Sequence, residues 1–270
     1  MKTLYVTDLD GTLLRSDERT SDFTNQTVNE LAKKGMLFSY ATARSYVTAQ
    51  KVTRGLDAHI PLIVYNGAFV IDQGTGEIML SNFFGEEVGA MMEDLISHGV
   101  YPIVYAFVDG VEKYSYIPER CTWGMKAYLD TRSGDRRENI VQDVKTLCRG
   151  EVFYLTCIDE EEKLLPFYEK YRDVCHAVYQ KDIYSGAQWL ELMPTAASKS
   201  NAIRQLKGLL GCDKLVVFGD GKNDIDMFEL ADESYAVSNA VPELKAIATG
   251  VIGCNDEDGV AHWLLAHVEV

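Results

Sequence analysis

Several common signals are missing from this chain of 270 residues. There is no run of about 18 or more apolar residues, so we expect no membrane-spanning helix and no membrane partner. The first residues lead straight into a strand-like run and leave no room for a signal peptide, so we expect a cytoplasmic protein. Internal repeats and low-complexity tracts are also absent.

Cysteine motifs and excess positive charge are missing too. None of the six cysteines forms a C-x-x-C pair, so the sequence indicates neither a zinc site nor a redox motif. We expect reduced thiols that serve packing. The net charge of −15 argues against a nucleic-acid partner, which is recognised through a basic surface. A local basic pocket for a small phosphate remains compatible with this charge.

The most informative stretch is the string from Tyr5 to Leu14. An apolar run ends there in Asp8 and Asp10, and Gly11 follows at once. Residues i and i+2 of a strand point the same way, but the glycine suggests that the chain turns. Two neighbouring carboxylates repel unless a cation lies between them or one is protonated, which favours a chemical role. A solvated turn is the alternative, whereas an EF-hand is excluded because its later acidic ligands are absent.

Alternation of strand-like and helix-like segments predicts a parallel sheet covered by helices. This pattern breaks near Phe84, where a tyrosine-rich section with a hairpin at Asp109-Gly110 begins, and it resumes at Ser198. We expect the segment from Tyr184 to Leu192 to return the chain to the first sheet. The sequence therefore predicts a core domain over 1–83 and 188–270, interrupted by an α+β domain over 84–187.

Polar residues follow four of the predicted strands, at the edge where ligands bind in open α/β sheets. They are Asp8 with Asp10, Thr42, Asn66, and the loop from Asp220 to Asp224, and Lys199 lies at the predicted start of a helix. Each has a structural alternative when it is taken alone. Thr42 can be a helix cap, Asn66 a turn residue and Lys199 a solvated surface lysine.

Taken together, these residues resemble in order the four motifs of the haloacid dehalogenase-like hydrolases. The matching strings are Asp8-Leu9-Asp10-Gly11-Thr12, Thr42 in Ala41-Thr42-Ala43-Arg44, Lys199, and Gly219-Asp220-Gly221-Lys222-Asn223-Asp224. The resemblance covers essentially the whole chain, and the interrupting domain resembles the type-IIB cap of the Cof-like sugar phosphatases. It implies an α/β fold, with a Rossmann-like doubly wound parallel sheet as the core and an inserted α+β cap domain.

The resemblance also implies a role for each site residue. Asp8 is implied as the nucleophile and Asp10 as the general acid and base, while Asp224 orients its neighbours. Mg²⁺ is the implied cofactor, held by Asp8, Asp220 and the backbone carbonyl of Asp10. The implied phosphate-binding groups are Thr42, Lys199, Asn223 and the amides of Leu9, Asp10 and Ala43. Ala43 and Ser200 stand where relatives usually have glycine, and neither change removes a reacting group.

We therefore expect a Mg²⁺-dependent phosphatase that acts on small phosphorylated metabolites, such as sugar phosphates, through an aspartyl-phosphate. A phosphomutase that uses the same phospho-aspartate is one alternative. A non-catalytic protein that binds phosphorylated metabolites is another, and the presence of both Asp8 and Asp10 argues against it. The sequence does not select one phosphate ester.

Overall fold

The computed structural model describes residues 1–56, 61–181 and 186–269. Within these residues the chain forms two compact units, Met1–Ser81 with Ala197–Val270, and Asn82–Ala196. No described helix has both the length and the apolar character needed to cross a membrane.

The first unit is built from two separate stretches of chain. The first stretch contains β1 (Thr3–Thr7), α1 (Asp22–Lys33), β2 (Leu37–Tyr40), α2 (Tyr46–Val52), β3 (Pro61–Val64), β4 (Phe69–Asp72) and β5 (Ile78–Ser81). The second unit follows with α3 (Glu87–Ser97), β6 (Ile103–Val108), β7 (Val111–Tyr116), α4 (Trp123–Asp130), β8 (Glu138–Ile140), α5 (Val144–Leu147), β9 (Glu151–Asp159), α6 (Glu161–Tyr171), β10 (His176–Lys181) and β11 (Gln188–Met193). The chain then completes the first unit with α7 (Lys199–Leu210), β12 (Lys214–Gly219), α8 (Ile225–Leu230), β13 (Glu233–Val237), α9 (Pro242–Ile247), β14 (Gly250–Ile252) and α10 (Gly259–His267).

A five-stranded parallel sheet forms the centre of the first unit, in the order β14-β13-β12-β1-β2. Its strands β1 and β12 are apolar runs, and Leu4, Val6, Leu215 and Val217 are fully buried. Such runs are typical of strands that are covered on both faces. The chain extends the sheet from β1 to β2 on one side and from β12 to β14 on the other. The predicted α/β fold with a doubly wound parallel sheet is confirmed.

β3, the strand that Asn66 follows, lies outside this parallel sheet. It pairs with β4 in an antiparallel three-stranded sheet that β5 completes. The tight turn Tyr65–Gly67 reverses the chain after β3, so the next strand must run antiparallel to it. A single parallel bridge between Ala41 and Ile63 links the end of β2 to β3.

The second unit contains a six-stranded sheet in the order β10-β11-β9-β6-β7-β8. All neighbours are antiparallel except β7 and β8. The predicted hairpin between β6 and β7 is confirmed, and Asp109 and Gly110 both adopt positive φ angles, of 52° and 78°. Its hydrophobic core includes Leu95, Leu155 and Leu190.

The structure moves the second boundary between the units nine residues later than the sequence predicts. β11 does not return to the first sheet, because it pairs with β9 and β10 of the second unit. Its side chains Leu190 and Leu192 are fully buried in the core of that unit. An apolar strand run carries no information about which sheet will accept it. Tyr184, where we placed the start of this segment, lies outside the described residues.

One carboxyl group is buried within the sheet of the second unit. Glu191 on β11 is 8% exposed. Burial raises the pKa of Glu191 from 4.5 to about 7, although a hydrogen bond with the side chain of Tyr154 opposes this change. The neutral acid is therefore the form that the fold favours.

This burial predicts a pH-dependent stability that Glu191→Gln should remove. Between pH 4.5 and 7 the unfolded chain has released the proton and the folded chain still binds it, so stability falls as pH rises. The full loss is on the order of 3 kcal/mol. Urea unfolding at pH 5 and pH 8 should show wild type losing more stability than Glu191→Gln. Glu151→Gln, on an exposed residue of β9, serves as the control, and parallel pH curves for wild type and Glu191→Gln would contradict the prediction.

Candidate active site

The carboxyl ends of β1 and β12 bring together the two predicted acidic motifs. These strands are direct parallel neighbours, with Thr7 opposite Phe218. The register continues one residue further, where the backbone amide of Asp8 donates a hydrogen bond of 2.9 Å to the carbonyl of Phe218. Asp220 begins the loop after β12, so the predicted nucleophile and the fourth motif lie at one edge of the sheet.

Lys199 lies between two buried carboxylates. Its Nζ is 2.5 Å from Oδ1 of Asp8 and 2.7 Å from Oδ1 of Asp224. Lys199 is 2% exposed, Asp8 5% and Asp224 0%. Burial alone would lower the pKa of Lys199, but the charges of Asp224 and Asp8 outweigh it and raise the pKa. The side chain is therefore an ammonium, and its two ion pairs offset the unfavourable position of a cation at the start of α7.

The charged groups around the carboxyl group of Asp8 are more negative than positive. Burial raises its pKa, Lys199 opposes this effect, and the carboxylates of Asp224 and Asp220 add to it. A single ammonium therefore does not balance the acidic groups of this edge. Further positive charge near Asp8 would favour its carboxylate, which is the form that can act as a nucleophile.

Asp220 is fixed against the turn that follows β1. The hydroxyl of Thr12 donates a hydrogen bond of 3.0 Å to Oδ1 of Asp220. Gly11 has a φ of +75°, and a Cβ at this position would lie 2.4 Å from Oδ2 of Asp220. Only glycine allows the carboxylate to approach the turn this closely. Burial and the charge of Asp224 raise the pKa of Asp220 to about 6.

Asp224 organises its own loop. Its Oδ2 accepts hydrogen bonds of 3.0 Å from the backbone amides of Asp220 and Gly221, while its Oδ1 accepts the one from Lys199. Both oxygens are therefore engaged. This arrangement orients Lys199 towards Asp8.

The acidic groups suit a hard divalent cation. One carboxylate oxygen from each of Asp8, Asp220 and Asp224 lies within 4.8 Å of the others, so three carboxylates face a single ammonium. A dication would balance this charge, and carboxylate oxygens without His or Cys are the donors that Mg²⁺ prefers. Because Asp224 already has both oxygens engaged, Asp8 and Asp220 are the side chains that best fit the role of ligands.

The second predicted motif follows β2. Thr42 is 1% exposed, and its hydroxyl accepts a hydrogen bond of 3.1 Å from the amide of Arg44. Its carbonyl accepts a hydrogen bond of 2.9 Å from the amide of Asn66. Ala43 is exposed between Thr42 and Arg44. Thr42 therefore has a fixed place beside β1, which is the neighbour of β2 in the sheet.

A strained turn connects this motif to the start of α7. Tyr65, Asn66 and Gly67 all have positive φ angles, of 50°, 52° and 96°. A Cβ on Gly67 would lie 2.2 Å from the carbonyl oxygen of Ser198, the residue before Lys199. Asn66 thus contributes to the site through its backbone, by fixing Thr42.

Two further predicted residues lie on the loops of the site. Leu9 is fully buried directly after Asp8, where it anchors the turn. Asn223 is exposed on the turn Lys222–Asp224, between Asp220 and Asp224. The structure therefore brings residues of all four predicted motifs to one edge of the sheet.

Arg44 is the main residue of the site that we did not select from the sequence. Its Nη2 is 2.6 Å from Oδ1 of Asp10, and its Nε is 2.8 Å from Oδ2 of Asp10. Nη2 also lies 3.0 Å from Oε2 of Glu18. Arg44 closes the second motif in the sequence, but nothing in that string shows that its side chain contacts Asp10.

Comparison with known proteins defines the class. The sequence profile of the haloacid dehalogenase-like hydrolases matches residues 5–264. The chain therefore belongs to this family, and the resemblance stated from its motifs is confirmed. The predicted enzyme class, a phosphatase of this family, is confirmed as well.

Particular relatives cover nearly all of the chain. The 5-amino-6-(5-phospho-D-ribitylamino)uracil phosphatase YitU of Bacillus subtilis is 27% identical, over 97% of this chain and 96% of its own length. YwtE of the same organism is named as a phosphatase of the same compound, and it is 26% identical over 98% of this chain and 97% of its own length. The crystal structure of TM0651 from Thermotoga maritima superposes with a TM-score of 0.78 at 26% identity, covering 100% of this chain and 98% of the other.

Proposed function

We propose that this protein is a Mg²⁺-dependent phosphatase that hydrolyses small phosphorylated metabolites, with sugar phosphates as the principal class. The observation that carries this proposal is Asp8, a buried carboxylate aligned by Lys199 beside Asp220. Bound Mg²⁺ supplies positive charge that lets an anionic phosphate approach an anionic nucleophile. Asp8, Asp220 and the backbone carbonyl of Asp10 are the groups that would hold it.

The reaction follows from the chain's own residues in two steps. An oxygen of Asp8 attacks phosphorus, the bond from phosphorus to the ester oxygen breaks, and Asp10 gives its proton to that oxygen. The resulting Asp10 carboxylate then takes a proton from water, whose oxygen attacks phosphorus. The bond from phosphorus to Asp8 breaks, which releases orthophosphate and restores Asp8.

Thr42, Lys199 and the backbone amides after β1 and β2 are proposed to bind the phosphoryl oxygens. Lys199 is already directed at Asp8 by Asp224, so its charge need not be reoriented when the transition state forms. Asn223 is proposed to contact the phosphate from the exposed turn after β12. The second unit is proposed to be the cap domain, and substrate choice is proposed to depend on its residues.

Release of orthophosphate tests this function directly. The panel should contain sugar phosphates, polyol phosphates, nucleotides, pyridoxal phosphate and flavin mononucleotide. It should also contain 5-amino-6-(5-phospho-D-ribitylamino)uracil, because two relatives carry its name. A phosphomutase would give an isomeric phosphate ester in place of orthophosphate, and a non-catalytic protein would bind an ester without turnover.

Removal of the metal should abolish this release. We expect negligible turnover in excess chelator, recovery with Mg²⁺, and inhibition by Ca²⁺, which prefers more and longer oxygen contacts. A second readout is thermal unfolding, because Mg²⁺ should raise the melting temperature of wild type. The increase should be lost in Asp220→Asn and kept in Asp173→Asn, which changes a side chain that is 86% exposed. Full activity in excess chelator would contradict the assignment of the metal.

A further inference from the structure

The guanidinium of Arg44 contacts both oxygens of the Asp10 carboxylate. Nε and Nη2 of Arg44 contact both of its oxygens, at 2.8 Å from Oδ2 and 2.6 Å from Oδ1. The side chain of Asp10 is 51% exposed, so packing alone does not select its rotamer. A planar guanidinium that contacts both oxygens fixes the plane and the direction of a carboxylate, which a lysine ammonium does not do.

Arg44 is itself held from three sides. Its amide donates to the hydroxyl of Thr42 at 3.1 Å, and its carbonyl accepts from the amide of Tyr65 at 3.0 Å. Glu18 lies 3.0 Å from Nη2, the nitrogen that also contacts Asp10, and gives the guanidinium a second carboxylate partner. Backbone and side chain of Arg44 are thus both anchored, as a residue that aims another group requires.

We propose that Arg44 is a positioning residue for Asp10, through which the second motif aligns the proton-transferring carboxyl group of the first. The proposal rests on the function proposed above. In that reaction an oxygen of Asp10 must reach first the departing ester oxygen and then the attacking water. Misplacement by about 1 Å can cost two orders of magnitude in rate, so a half-exposed acid on a turn gains most from an anchored partner.

The expected consequence is a defect that resembles loss of Asp10 and is smaller. Arg44→Met should lower kcat about 10- to 100-fold. With p-nitrophenyl phosphate, whose leaving group needs little protonation, the second step should be impaired more than the first. The phosphoryl adduct on Asp8 should then accumulate and be visible by intact mass after rapid acid quench. Arg44→Lys should recover only part of kcat, because an ammonium cannot grip both oxygens.

A double-mutant cycle separates positioning from other roles. If Arg44 acts through Asp10, Arg44→Met should have little further effect on kcat in the Asp10→Asn background. Equal losses in both backgrounds would overturn the proposal. An effect confined to KM would also overturn it, because it would make Arg44 a substrate-binding residue.

Arg15→Met provides the matched control. Arg15 contacts both oxygens of Asp258 in a similar fork within the same unit, outside the candidate site. Its loss should affect thermal stability without accumulation of the adduct. Failure of the proposed function would look different, since wild type itself would then release no orthophosphate and form no adduct.

Discussion

Asp8→Asn is expected to abolish turnover on every phosphate ester, with no phosphoryl-enzyme at any time after mixing. An amide is not a nucleophile at neutral pH, so this variant has no nucleophile at position 8. Asp224 also contacts Lys199, but its second oxygen is engaged by two backbone amides. The reaction should therefore not shift to Asp224. The measurement is orthophosphate release together with intact mass after rapid acid quench.

Folding of the Asp8→Asn variant can be checked independently. Asparagine has nearly the same volume as aspartate, so the buried position should remain filled, and thermal unfolding should stay cooperative. Asp173→Asn should leave both turnover and adduct formation at the wild-type level. Detection of a phosphoryl adduct in Asp8→Asn would place the nucleophile elsewhere and refute the proposed mechanism.

Asp10→Asn is expected to fail at a different step. The nucleophile Asp8 and the proposed metal contact of residue 10, through its backbone carbonyl, both remain. What is lost is the group that donates and accepts the proton, a contribution of about 10²–10⁴-fold. With p-nitrophenyl phosphate the first step needs little acid assistance, whereas attack by water still needs a base. The aspartyl-phosphate should therefore accumulate in this variant.

Comparison of two leaving groups makes the Asp10→Asn result specific. A sugar phosphate has a poor leaving group, so its first step should be slowed and the adduct should be scarce. p-Nitrophenyl phosphate should give abundant adduct with slow release of orthophosphate. If both substrates gave equal adduct levels and equal losses in rate, Asp10 would not be the acid and base. The side chain is half-exposed, so the substitution should change stability little.

Local sequence patterns were enough to indicate the class of this protein and most of its local structure. Short-range patterns carried this information, because strands and caps depend on neighbouring residues. β1 and β12 could be recognised from apolar runs that are followed by acidic residues. Acidic and polar residues at the predicted strand ends indicated the candidate site without information on tertiary contacts, since strands of a parallel sheet end at a common edge.

Which of these groups are in contact depends on the packing of distant segments of the chain. Lys199 is 191 residues from Asp8 and 25 from Asp224 along the chain, yet it contacts both. Local sequence likewise does not predict that Arg44 contacts both oxygens of Asp10. It also does not predict that β11 pairs with strands of the second unit. Such contacts depend on how sheets and turns assemble, and the identity of a residue does not predict which distant residue it will contact. The sequence therefore determined which chemical groups are present, and the packing of the strand ends determined their pairing, because long-range contacts form only when the whole sheet is in place.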